Sequence, residues 1–132
     1  MAKYWKGDHT THRLRYHIVW IPKYRKRVLR GKIAVHLKGL LYEACKMNGW
    51  WIEELAVQEE HIHMIIHLNP RESVAEVVQI LKGGTSRIIR KTHPDLEEFL
   101  WGDSLWADGY FAEMVGALDE NIVKKYVREQ RK

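Results

Sequence analysis

Residues 61–68 read His-Ile-His-Met-Ile-Ile-His-Leu, and this stretch most constrains the fold. Successive side chains of a strand point to opposite faces. Ile62, Met64, Ile66 and Leu68 therefore share one face, and His61, His63, Ile65 and His67 share the other. The aliphatic face needs cover from another layer, while the second face carries three imidazoles. Asn69-Pro70 ends the strand.

The flanking sequence supplies that layer. Leu14, Tyr16, Ile18 and Trp20 alternate through a strand predicted from Arg13 to Ile21, closed by Pro22, and the run Lys23 to Arg27 follows as a loop. Ile33, Leu37, Leu40, Leu41, Ala44 and Cys45 recur at helical spacing, with Asn48-Gly49 as the stop. Trp50 to Val57 reads as a second strand in which Trp50 and Trp51 pack. Ser73-Val74-Ala75-Glu76 is a capping box that opens a helix burying Val74, Val77, Val78 and Leu81. Gly83-Gly84 either interrupts this helix or admits another backbone closely, before the pattern resumes at Ile88 and Ile89. Residues 91–108 are punctuated and expected to be irregular, Gly109 to Val115 forms a fourth strand, and Asp119 caps a last helix. The order β-α-β-β-α-β predicts an α+β, ferredoxin-like fold: one antiparallel sheet backed by two helices. The expectation is a single domain over residues 1–132, with an added C-terminal helix at 119–131.

No apolar run approaches the ~20 residues needed to cross a bilayer, so no membrane role is expected. Met1 to His9 lacks the apolar core of a signal peptide. Cys45 is alone and lies within an apolar helical pattern, which excludes a disulfide framework and a four-cysteine zinc site. These features predict a soluble, cytoplasmic protein. Charge is unevenly spread: residues 1–32 hold ten Lys/Arg and one acid, whereas the remainder holds twelve basic and sixteen acidic residues. A cationic surface on an acidic body suggests a polyanion partner, most simply nucleic acid, or else a solvated basic arm. Trp5, Tyr16, Trp20 and Tyr24 interleave with these charges, as a surface that stacks bases while holding phosphates would require.

Two strand residues at i and i+2 project from one face roughly 6.5–7 Å apart, so His61 and His63 could converge on one ion. The alternative is a pair of histidines hydrogen-bonded within the sheet. His67 lies two pleats along and reads as sheet surface. On the last helix Ile122, Tyr126 and Gln130 share a face at i, i+4 and i+8. A phenol attacks phosphorus if a metal polarises the phosphate, and a carboxamide oxygen is a hard ligand suited to Mg²⁺ or Mn²⁺. The alternative for these two residues is a packing tyrosine and a solvent-facing glutamine.

In combination these motifs resemble the single-tyrosine HUH transposases of the insertion-sequence 200/605 group, HUH standing for His, hydrophobic, His. The resemblance runs through Tyr16-His17-Ile18-Val19-Trp20-Ile21-Pro22-Lys23-Tyr24-Arg25, Glu60-His61-Ile62-His63 and Leu81-Lys82-Gly83-Gly84-Thr85-Ser86-Arg87. It continues in Leu105-Trp106, Gly109-Tyr110-Phe111, Val115-Gly116 and Tyr126-Val127-Arg128-Glu129-Gln130. It departs at Glu113-Met114, where the family usually has an uncharged residue followed by Thr. The resemblance implies cleavage and rejoining of single-stranded DNA at hairpin-marked ends through a 5′-phosphotyrosine. Tyr126 would be the nucleophile, and His61, His63 and Gln130 would be ligands of one Mg²⁺ or Mn²⁺. No nucleotide cofactor is needed, because bond energy is conserved in the phosphodiester. It further implies a homodimer in which one protomer's tyrosine helix completes the other's histidine site. Lys23, Arg25, Lys26, Arg27, Arg30, Lys82 and Arg87 are the candidate DNA contacts. Water near the ion or Lys125 could accept the phenol proton. Two rival readings stand beside this one: a domesticated relative acting on chromosomal repeat hairpins, and a non-catalytic ferredoxin-like RNA-binding module.

Overall fold

A computed structural model describes residues 5–6, 11–12, 14–115, 125 and 127–130. A short antiparallel ladder joins β1 (Trp5–Lys6) to β2 (Thr11–His12). The main sheet contains β3 (Arg15–Trp20), β4 (Trp51–Gln58), β5 (His61–His67) and β6 (Phe111–Met114) in the order β4-β5-β3-β6, every pair antiparallel. With α1 (Gly31–Asn48) after β3 and α2 (Val74–Thr92) after β5, this is the expected ferredoxin-like arrangement. No helix among the described residues is long and apolar enough to cross a membrane.

The aliphatic face of the sheet is covered by both helices. Ile18 and Trp20 from β3 and Ile62, Met64 and Ile66 from β5 pack in one cluster with Leu37, Leu41 and Cys45 of α1 and Val77, Val78, Leu81 and Ile89 of α2. Burial pushes the Cys45 thiol up to about 12, which leaves it unreactive. Helix α1 stops where Gly49 takes φ 78° and donates to the carbonyls of Cys45 and Lys46. Helix α2 starts where Ser73 Oγ accepts from the Glu76 amide at 3.1 Å.

Two expectations are corrected here. Gly83-Gly84 neither breaks α2 nor admits another backbone: the helix is continuous, and a Cβ at either glycine would meet nothing within 4 Å. Two glycines cost about 2 kcal/mol in helix propensity, whereas each buried aliphatic side chain contributes about 1.5–3 kcal/mol, so the packed face wins. The segment predicted to be irregular holds a 3₁₀ turn at Pro94–Leu96 and the short α3 (Glu97–Leu100). It also sends Leu96, Leu100, Leu105 and Trp106 into the core. The Trp106 indole donates to Thr85 Oγ1 at 3.0 Å, tying this segment to α2.

Of the predicted C-terminal helix, residues 125 and 127–129 are helical and Gln130 is in a turn; the rest of 119–131, Tyr126 included, lies outside the described residues.

Candidate functional site

The second face of the sheet carries a smaller apolar patch made by Ala56, Ile65, Val115 and Val127. The buried Val127 thereby docks the C-terminal segment onto the histidine face of its own chain. Arg128 adds a two-nitrogen contact to Glu54 Oε1, at 3.2 and 3.0 Å. Three residues after Val127, Gln130 reaches His61, with Oε1 at 2.9 Å from the imidazole Nε2. The other ring nitrogen of His61, Nδ1, lies 2.9 Å from Glu60 Oε1.

His63 sits two residues along β5, its ring 4.5 Å from that of His61 and nearly perpendicular to it. Its cross-strand neighbours are Val19 and Ala56, and it is 4% exposed. Burial, followed by the charges of His61 and His17, lowers its pKa to about 4. His63 is therefore neutral near pH 7, the form in which imidazole binds a metal. Its Nδ1 stands 3.3 Å from His17 Nε2, and His17 Nδ1 stands 3.4 Å from Glu113 Oε1.

The His61 geometry tests whether a cation suits this place. A neutral imidazole has one N–H, and a carboxylate oxygen and an amide oxygen are both acceptors. With its hydrogen toward Glu60, His61 turns a lone pair toward the Gln130 oxygen across 2.9 Å. Either a hydrogen on Nε2 or a cation shared by the two atoms joins them across this distance. Adjacent ligands of an octahedral ion at ~2.1 Å stand ~3.0 Å apart, so this spacing suits Mg²⁺ or Mn²⁺. Among the described residues no group of three or more His, Cys, Asp or Glu could hold a metal ion; the set here is two imidazoles and a carboxamide.

The third histidine of the face corrects the expectation of a surface residue. His67 is fully buried, with Nε2 2.6 Å from Glu53 Oε1 and its ring stacked 4.5 Å from Trp51. Glu53 also accepts from Arg15 through Nε at 3.1 Å and Nη2 at 2.8 Å. Glu53 shares the face of Trp51, which is paired with His67, and the register slip between Ile52 and Glu54 brings Glu54 onto that face as well.

The predicted basic contacts fall into two groups. Lys23 to Arg25 forms a 3₁₀ turn, with Arg25, Lys26, Arg27 and Arg30 exposed around it. Arg27 lies 3.5 Å from Glu59 and 3.4 Å from Glu60, which joins the tract to the carboxylate that holds His61. Lys82 and Arg87 are on α2, on the other side of the sheet, and line a cleft of about 820 Å³ with Arg90 and Tyr110. Lys82 Nζ is committed there to the carbonyls of Ala107 and Gly109, at 2.7 and 2.9 Å. Of the four aromatics expected to face a partner, Trp20 is core, Tyr16 packs against the core, and the side chain of Trp5 lies outside the described residues. Tyr24 is exposed, at φ 58°, and its hydroxyl donates to Asp103.

The comparisons with known proteins converge. The family model described as IS200-like transposase matches residues 10–130. The chain belongs to the IS200-like transposase family. The ISDra2 transposase TnpA of Deinococcus radiodurans is 32% identical over 125 residues, which is 95% of this chain and 89% of that protein. The transposase of insertion sequence IS200 from Salmonella typhimurium is 30% identical over 122 residues, 92% of this chain and 80% of that one. A crystal structure of a candidate transposase from D. radiodurans R1 superposes with a TM-score of 0.79 at 28% identity, covering 96% and 97% of the two chains. A REP-associated tyrosine transposase bound to a REP hairpin has a TM-score of 0.64 at 13% identity, over 96% of this chain and 68% of that one, and shares the fold.

Membership of this transposase family implies an enzyme that cuts DNA, and it removes the non-catalytic RNA-binding reading. Two residues of this transposase escaped the sequence reading. His17 was quoted only as part of a motif, although its place beside His63 follows from strand register. Trp101 is 80% exposed on a turn at φ 48°, and nothing in a sequence distinguishes an exposed tryptophan from a buried one.

Proposed function

We propose that this transposase cleaves and rejoins single-stranded DNA at hairpin-marked ends, with Tyr126 as nucleophile and His61, His63 and Gln130 as the holders of one divalent ion. The observation that supports the reading most is the His61–Gln130 pair, an imidazole nitrogen and an amide oxygen 2.9 Å apart with a carboxylate behind the imidazole. When bound, the ion would polarise the scissile phosphate and offset the charge its oxygens gain in the transition state.

The remaining chemistry belongs to the chain. The Tyr126 oxygen forms a bond to phosphorus as the bond from phosphorus to the 3′ oxygen breaks, giving a 5′-phosphotyrosine and a free 3′-OH. An unperturbed phenol has a pKa near ~10, so its proton must leave as the bond forms. Attack by a second 3′-OH reverses these bonds and joins the strands without a nucleotide cofactor. Residues 126 and 130 are four positions apart in sequence, the spacing of side chains on one helix face, which supports the nucleophile and the ligand acting on one phosphate. Arg25, Lys26, Arg27 and Arg30 are exposed for phosphate contacts, and Tyr24 and Trp101 offer aromatic faces for unpaired bases. Lys82 acts chiefly as a tie between α2 and the 107–109 backbone, and Arg90 is paired with Glu97, so Arg87 and Lys91 are the cations of that cleft better placed to meet phosphate.

In the single chain the Gln130 that meets His61 is its own. A homodimer that exchanged C-terminal helices would keep the same donor set, since each site would still receive one Gln130. Identities of 30–32% to insertion-sequence transposases favour this reading over a domesticated hairpin nuclease, whose support here is a likeness of fold.

The test is a labelled single strand carrying a hairpin from the element's own flank, incubated with Mn²⁺ and resolved under denaturing conditions. The wild-type chain should yield a covalent protein–DNA adduct, and Tyr126→Phe should yield none while still binding the hairpin. An adduct retained by Tyr126→Phe would remove Tyr126 as nucleophile.

A further inference from the structure

We propose that His17, anchored by Glu113, is a positioning residue that fixes which nitrogen His63 offers to an ion. The inference rests on the metal reading above and adds to it a second layer specific to this chain. Register places the parts. Val19 pairs with His63 and His17 with Ile65, so His17 and His63 are diagonal neighbours on one face. On the other side of β3, His17 stands directly opposite Glu113 of β6.

The hydrogen positions follow from donor and acceptor chemistry along this row. A carboxylate only accepts, so the hydrogen of His17 lies on Nδ1, toward Glu113 Oε1 at 3.4 Å. Neutral His17 then has a lone pair on Nε2, which accepts from His63 Nδ1–H across 3.3 Å. His63 is left with its lone pair on Nε2. The same logic applies to His61, where Glu60 takes the Nδ1 hydrogen and leaves Nε2 toward Gln130. Both candidate ligands thereby present the same ring nitrogen, one fixed directly by a carboxylate and the other through an intervening imidazole.

Packing holds the relay in place. His17 is 7% exposed, its ring lies within 13° of parallel to His63, and Phe111 meets its edge at a centroid distance of 6.0 Å. Partners that orient a ligating histidine typically govern 10–100-fold in metal affinity.

The experiment uses the full chain without DNA. Nitrogen-15 NMR of the histidine rings reads the tautomers before metal is added, and titration with Mn²⁺ reads affinity. Wild type should show His63 with its hydrogen on Nδ1. His17→Leu, which keeps bulk and removes the acceptor, should lose that preference and bind Mn²⁺ about 10–100-fold more weakly. His17→Gln restores an acceptor near the Nε2 position and should recover most of the affinity. Glu113→Gln alters a half-exposed side chain, so it tests the row even if His17→Leu fails to fold, and should scramble the His17 tautomer. A His63 hydrogen on Nε2 in wild type, or unchanged Mn²⁺ affinity in both His17→Leu and Glu113→Gln, would overturn the proposal. Failure of wild type to bind Mn²⁺ would instead sink the metal reading, while the tautomers would still decide whether His17 orients His63.

Discussion

The two ends of the histidine face use the same residue types to opposite effect. At one end His67 and Arg15 converge on Glu53, so two nitrogen donors serve one carboxylate, and His67 and Arg15 are almost wholly buried. At the other end His61 stands between two side-chain oxygens, those of Glu60 and Gln130. The first end joins side chains of three strands and works as a clamp between β3, β4 and β5. The second is the end proposed to receive a divalent ion. Burial and the partner set, rather than the presence of histidine, distinguish the two ends.

Exchanging the carboxylates breaks this comparison most sharply. Glu53→Gln removes the anion of a buried cluster and should cost about 3–5 kcal/mol in chemical denaturation. Glu60→Gln, on a partly exposed carboxylate, should cost less than about 1 kcal/mol by the same measurement. Equal losses at the two positions would erase the distinction.

Acid sharpens the contrast within the functional end. In the metal-free chain the His63 pKa of about 4 lies below the ordinary value of 6.5, so the unfolded chain binds the extra proton more readily. Stability from this group is complete above about pH 6.5 and is lost as pH falls toward about 4, on the order of 3 kcal/mol in total. Denaturation of wild type and His63→Leu across that window should show the slope in the first and its absence in the second.

Metal affinity should reverse the ranking given by stability. Glu60→Gln is expected to weaken Mn²⁺ binding about 10–100-fold through the His61 tautomer, whereas folded Glu53→Gln should bind as wild type does. The smallest effect lies outside both ends. Neutralising Arg25 and Arg27 together should flatten the salt dependence of hairpin binding by roughly one to two units of slope. An unchanged slope would assign both to the solvated face.

What the sequence discloses follows the range of each signal. The strands were legible because a period of two is local, and His61 and His63 because two residues on one pleat are neighbours in any strand. His67 was misread because its burial depends on Glu53 and Trp51 of another strand, and no local periodicity announces a cross-strand partner. Gly83-Gly84 suggested a break by propensity, which the packed face of α2 overrides. Proline and glycine punctuation in residues 94–108 concealed four core side chains, Leu96, Leu100, Leu105 and Trp106. The pairing of His61 with Gln130 spans 69 positions and came from resemblance, since spacing alone joins Gln130 only to its own helix.

The measurement that bears most directly on the account is direct titration of the metal-free full chain with Mn²⁺, followed by electron paramagnetic resonance. Wild type should take up one ion per chain, and His61→Ala, His63→Ala and Gln130→Ala should each lose most of that binding while remaining folded. Uptake that survives all three substitutions would contradict the claim that the His61–Gln130 geometry is one edge of a cation site, as would a wild-type chain that binds none.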